Sequence, residues 1–191
     1  MKVLVSSNYL TNIANSIRAK LSSSNTYKPG EMSAAIDNIQ TKYAPRYISF
    51  REYKGAELTS ELAGLDTSNI TTMATMFYYC NGLIDLNVSN FNTSRVTSMR
   101  YMFYSCNKLI SLDLSNFNTD NVTDMSYMFQ NCERLQRLDL RNFNFNNVNN
   151  YSNMLIGIPN GCLVIVKDNT AKNWILSKFP QLTNVKTIGE I

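Results

Sequence analysis

A chain of 191 residues with a formal net charge of +4 and no histidine is long enough to bury a substantial core. It excludes histidine general bases, Ser-His-Asp and Cys-His constellations and every histidine-containing metal site. No run of 18 apolar residues is present to cross a bilayer, and the positive charge is confined to one end: residues 1–55 carry eight Lys/Arg against three Asp/Glu, residues 56–191 ten against eleven.

The N-terminal MKVLVSSNYLTNIANS has too few consecutive apolar residues for a signal-peptide core, so export by that route is not expected. Leu10, Ile13, Ala14, Ile17 and Leu21 form an amphipathic stripe that predicts a helix over 8–21, with Asn8 or Ser7 as its cap. Pro29 and Glu31 suit the start of a second helix, whose stripe is Met32, Ala35, Ile36 and Ile39. Residues 1–42 therefore read as a helical hairpin for attachment or oligomerisation. It is too small to bury its own apolar faces, which must meet the rest of the chain, a second copy or a partner protein.

The order Ile13-Ala-x-x-Ile-Arg-x-Lys20, then Tyr27-x-Pro-x-x-Met32, then Ala35-Ile-x-x-Ile39 resembles a segment near the N-termini of tail and prophage proteins of Gram-positive bacteria. Residues 43–191 form the second unit. Tyr47, Ile48, Phe50 and Tyr53 predict an extended start, and 46–62 reads as an N-terminal cap, without which the end of a repeat array would leave its interior in water.

From there one pattern recurs. Cys80, Cys106 and Cys132 stand 26 residues apart, as do Met76, Met102 and Met128, Phe77, Phe103 and Phe129, and Leu86, Leu112 and Leu138. A period of 20–29 residues carrying Leu-x-x-Leu-x-Leu predicts a leucine-rich solenoid, an α/β fold in which each coil covers its neighbour. Leu109, Leu112 and Leu114 predict a short strand, Phe117 a turn packed inward, and Val122, Met125, Met128, Phe129 and Cys132 one face of a helix, with Tyr127 and Asn131 opposite. The three periodic cysteines read as small buried packing residues, since a disulfide framework would not track the period, and no Cys-x-x-Cys pair is present to hold zinc. The coil from Asn142 decays, and a C-terminal cap follows: a strand at Leu163–Val166, a helix capped by Asp168 and stopped by Pro180, a last strand near Val185, and Trp174 as packing anchor.

The unit LDLSNFNTDNVTDMSYMFQNC closely resembles the BspA-like leucine-rich repeat of bacterial surface proteins, over roughly residues 62–155. The resemblance implies a solenoid with roles in adhesion and binding at cell surfaces, and no shared catalytic residue. The chain lacks that family's export signal and wall anchor, which together with the hairpin favours a tail setting.

Two surfaces are candidate binding sites. Asp85, Asn87, Ser111, Asp113, Arg137, Asp139 and Arg141 point outward from the strands, where ladders about 4.8 Å apart could hydrogen-bond a sugar or a polar peptide. Tyr79, Tyr101, Tyr104 and Tyr127 lie on the predicted helix side and offer contact area at low entropic cost. Asp113 and Asp139 stack as an acid/base pair would, but an open sheet gives nothing to split their pKa values, so no catalysis, metal or cofactor is expected. The Asn ladder, Asn90, Asn116 and Asn142 beside Asn92, Asn118 and Asn144, is expected to satisfy backbone groups at the turns. The expected function is a non-catalytic module in a phage or prophage tail, binding neighbouring tail or baseplate proteins or a host-surface protein or glycan. The alternative is a secreted or cell-surface bacterial adhesin. Neither nucleic acid, which needs a concentrated basic footprint, nor membrane insertion is expected.

Overall fold

The computed structural model describes residues 49–56, 58, 62 and 65–191. The predicted hairpin over 1–42 lies outside them. The fold is mixed α/β: a four-stranded parallel sheet with one α-helix of defined ends among the described residues. β1 is Ser111–Asp113, β2 Arg137–Leu140, β3 Leu163–Val166 and β4 Val185–Thr187, in the order β1-β2-β3-β4. Leu112 pairs with Leu138 and Leu138 with Val164, so partners through β3 are 26 residues apart. A second parallel ladder runs along the opposite stretch of each coil, bridging Thr72 to Ser98, Ser98 to Asp124 and Asp124 to Asn150.

Between the ladders the chain does not form the helix expected over Val122–Cys132. A helix would send each N–H to the carbonyl four residues back. Here Met125, Tyr127, Phe129 and Asn131 donate to the next coil, at Asn150, Ser152, Met154 and Ile156, over 2.8–3.0 Å. Met128 and Cys132 close two successive turns on the carbonyls of Met125 and Phe129. Tyr127 and Asn131 take φ of 60° at the third turn position, where a type II turn needs positive φ. The same left-handed residues recur at Thr75, Tyr79, Tyr101 and Ser105. A chain that turns every four residues brings side chains back to one side at i, i+3, i+4 and i+7, which is also the helical spacing. The apolar face is thus as predicted, while the backbone beneath it is different. Left-handed backbone costs an L-residue about 1–2 kcal/mol; here it leaves alternate N–H groups free to bond to the next coil.

The core consists of stacked identical positions. Met73, Met99 and Met125, Phe77, Phe103 and Phe129, and Leu83, Leu109 and Leu135 are fully buried, each contributing about 1.5–3 kcal/mol. Phe50, Phe77, Phe103 and Phe129 form a column of near-parallel rings with centroids 5.4–5.6 Å apart. A second column runs through Phe91, Phe117 and Phe143 at 6.4 Å. The cysteines are free and buried. The thiols of Cys80, Cys106 and Cys132 donate to the carbonyls of Phe50, Phe77 and Phe103 at 3.0–3.2 Å, so the periodic cysteine links each coil to the one before it.

Two polar ladders complete the turns. The Asn90 amide donates to the carbonyl of Leu62, that of Asn116 to Val88, Ser89 and Phe91, and that of Asn142 to Ser115. The side-chain oxygens of Asn92, Asn118 and Asn144 accept from the backbone two residues ahead. The expected backbone role of these asparagines therefore holds. Beside them lies a ladder not anticipated in the sequence. Thr67, Thr93 and Thr119 are 1–2% exposed, and each hydroxyl both donates to the carbonyl and accepts from the N–H of the asparagine 25 residues on.

The ends depart from the pattern. Residues 50–53 are not extended: Phe50 and Glu52 donate to Met76 and Tyr78, and Glu52 takes φ of 60°, so the start of the described chain repeats the turn geometry of the coils. Gly82 permits its approach, since a Cβ there would stand 2.0 Å from the carbonyl oxygen of Lys54. At the other end α1, Asn169–Lys178, is capped as expected by Asp168, whose carboxylate accepts from the Ala171 N–H at 3.0 Å. Trp174 stacks on Phe145 at 4.4 Å and meets Tyr151 edge-on at 5.3 Å, the anchor role expected of it.

Candidate functional site

The strand-face residues do not form one open polar ladder. Asn87, Asp113 and Asp139 hold the same place in successive coils and do the same local work: each side chain accepts from the N–H two residues ahead, at Ser89, Ser115 and Arg141. Asp85 and Asn87 are exposed and Ser111 is half-buried. Asp113 is exposed, and its hydrogen bonds with Ser115, aided by Arg141 and Arg137, hold its carboxyl below the usual carboxylate range. Asp139 is 1% exposed. Arg141 closes over it with Nε 2.9 Å from Oδ1 and Nη2 on Oδ2, and Arg137 adds a contact of 3.3 Å. The hydrogen bond to Asp139 in turn holds the Arg141 guanidinium above its ordinary pKa. The next residue in that row, Ile165, is fully buried, and Lys186 follows it. Of the predicted strand-face set, Arg137 and Arg141 are the accessible members around a sequestered Asp139.

The tyrosines, by contrast, are brought together. Tyr101 stacks on Tyr127 at 4.6 Å and meets Tyr104 edge-on at 5.4 Å, and Tyr79 packs against Tyr104 at 5.4 Å. The sequence reading missed Tyr78, which joins the group by stacking on Tyr104 at 5.1 Å and touching Tyr79 at 4.7 Å. Its signal was present, since Tyr78 stands 26 residues before Tyr104. The turns explain the clustering: Tyr79, Tyr101 and Tyr127 occupy left-handed positions, which face away from the buried Met and Phe side chains. Arg51 lies 4.8 Å over the Tyr78 ring and Arg100 4.9 Å over Tyr101, flanking the patch with cations attracted to the ring faces. Tyr79 is 39% exposed, and the other four are half-buried. Burial, followed by Tyr79, pushes the Tyr104 hydroxyl pKa up, so at neutral pH the patch presents an uncharged phenol there. No group of three or more potential metal ligands occurs among the described residues.

Comparison with known proteins finds one family. A family model described as Mycoplasma protein of unknown function, DUF285, matches residues 47–161, a stretch that includes the tyrosine patch and both phenylalanine columns and stops before β3 and α1. No curated protein and no solved structure matches the chain.

Proposed function

The chain belongs to the DUF285 family, and from that premise we propose that it is a non-catalytic binding module, a solenoid of BspA-like 26-residue leucine-rich coils whose tyrosine face docks onto a surface protein or glycan. The observation that carries the reading is the continuous patch of Tyr78, Tyr79, Tyr101, Tyr104 and Tyr127 flanked by Arg51 and Arg100. Tyrosine and arginine are the residues most enriched where partners bind, because they supply large contact area with little flexibility to lose. The lowered pKa of Asp113 supports the non-catalytic part, since a general acid needs a raised one. The solenoid part is supported by the 26-residue register of the strands and of the second ladder.

The setting proposed for this module is a phage or prophage tail, on the resemblance of residues 1–42 to tail proteins; in that setting the hairpin joins other tail proteins or a second copy. A bacterial cell-surface or secreted role is the second reading, favoured by the family's description as a Mycoplasma protein.

The test is binding of the full chain to intact bacterial cells of the source and of related strains, compared with Tyr101→Ala/Tyr104→Ala and with Arg137→Ala/Arg141→Ala. Loss of about ten-fold or more in affinity is expected in the tyrosine pair. Loss only in the arginine pair would move the site to the strand face, and unchanged binding in both would overturn the reading. Immunodetection in purified tails against cell-surface fractions decides the setting.

A further inference from the structure

We propose that the groove between the asparagine turns and α1 is a second binding site, separate from the tyrosine face, and that it takes a neutral saccharide. The groove encloses about 520 Å³, within the ~300–1,000 Å³ typical of small-molecule sites. It exists because the threonine ladder stops. Positions 67, 93 and 119 are threonine, but position 145 is phenylalanine, and its ring turns to stack on Trp174 of α1. The turns of the last coils are then left facing α1 across an open cleft.

One wall carries Asn118, Asn144 and Asp120, and the other Lys167, Thr170 and Trp174. The asparagine oxygens are engaged in their turns. The Asn118 amide has no partner among the described residues, and the Asn144 amide donates to Asp120 Oδ1 at 2.8 Å, leaving Oδ2 free. Lys167 is exposed and likewise without a partner among the described residues. An amide donor, a carboxylate acceptor already aligned by a neighbouring amide, and an ammonium group beside a half-buried indole match adjacent sugar hydroxyls and an apolar ring face.

The same features argue against other occupants. The floor is closed, with Phe117, Phe143 and Phe145 only 0–6% exposed, so it offers no pocket for the apolar anchors that hold a peptide. Two carboxylates, Asp120 and Asp168, face one ammonium, Lys167, which disfavours an anion. The inference stands independently of the tyrosine-face reading.

Trp174 is the sole tryptophan, so its emission reports on this groove alone. The full chain is titrated with maltose, cellobiose, lactose and N,N′-diacetylchitobiose to about 20 mM, well above a millimolar Kd, with sialyllactose as the charged comparison. A saturable emission change with at least one neutral disaccharide is expected. It should weaken at least ten-fold in Asp120→Ala, an exposed turn position, and in Lys167→Ala, and be unchanged in Tyr101→Ala/Tyr104→Ala. No change with any of the four neutral sugars overturns the proposal. So does a change that survives both groove variants, or sialyllactose binding more tightly than every neutral sugar.

Discussion

Replacing Thr119 with valine keeps the shape of the side chain and removes only its hydroxyl, which makes it a sharp probe of what joins one coil to the next. Thr119 is 1% exposed. Its Oγ1 donates to the Asn144 carbonyl at 3.1 Å and accepts from the Asn144 N–H at 2.8 Å. Valine removes both bonds and leaves a backbone donor and acceptor unpaired. An orphaned buried polar group costs about 1–3 kcal/mol; Asn144 is half-exposed, so water recovers part of this and about 2–3 kcal/mol remains. For a chain of this size that is a fall in Tm of about 4–12 °C. Thr123 is the control: its hydroxyl donates to Thr97 at 3.3 Å from an exposed position, and Thr123→Val should cost less than about 0.5 kcal/mol. Thr119→Ser restores the hydroxyl and loses only a methyl group, so it should recover most of the loss. Differential scanning calorimetry with urea unfolding measures all three. Equal effects for Thr119→Val and Thr123→Val, or for the valine and serine variants at 119, would refute the reasoning.

The cysteine ladder should be inert in the native protein. Burial pushes the thiols of Cys132 and Cys162 up to about 12 and that of Cys80 to about 11, so at pH 8 no native thiolate is available, and labelling by a disulfide reagent should proceed only at the rate of unfolding; stoichiometric reaction within the mixing time contradicts this. Gly82→Ala should expel residues 53–56, because the new Cβ meets the Lys54 carbonyl at 2.0 Å; trypsin should then cut at Arg51 or Lys54 and Cys80 should become the first thiol to label, whereas a wild-type digestion pattern would show that the segment can shift without leaving. Finally, the bond to Lys172, with that to the Thr187 N–H, holds the Glu190 carboxyl down to about 2. Its folded pKa lies below the ordinary 4.5, so the contribution is complete above that pH and is lost as pH falls through about 2. The Thr187 amide resonance should therefore stay native-like at pH 3.5 and move only near pH 2, and Lys172→Met should raise the midpoint.

The period, the buried positions and the C-terminal cap were legible because each depends on side-chain chemistry that repeats or stands alone: Met128, Phe129 and Cys132 announce the interior, and Asp168 and Pro180 bracket α1. The backbone between Met125 and Cys132 was not legible. Apolar spacing reports which side a residue faces, and two consecutive turns and a helix share that spacing. The positive φ at Tyr127 and Asn131 would have been the distinguishing signal, but a tyrosine does not advertise it as a glycine does. The burial of Asp139 was hidden for a different reason. Arg137 and Arg141 flank it at two residues on either side, which on a strand places all three on one face, and alternation read all three as solvent-facing. Only their mutual closure removes the carboxylate from water. The threonine ladder went unread because a buried hydroxyl that replaces a backbone rung leaves the same mark in a sequence as any turn threonine.

The ladder that links each coil to the next has no preferred number of rungs. Thr93 bonds onward as Thr119 does, and Cys106 bonds back as Cys132 does, so a further 26-residue unit placed between them would find both of its faces already matched. Each such unit would lengthen the array by about 4.8 Å, the spacing of adjacent strands. The tyrosine patch belongs to the early coils and the groove to the last one. Their separation is therefore set by copy number, and duplication or loss of a coil within a lineage would act as a ruler, retuning the distance between two surfaces without altering a residue in either.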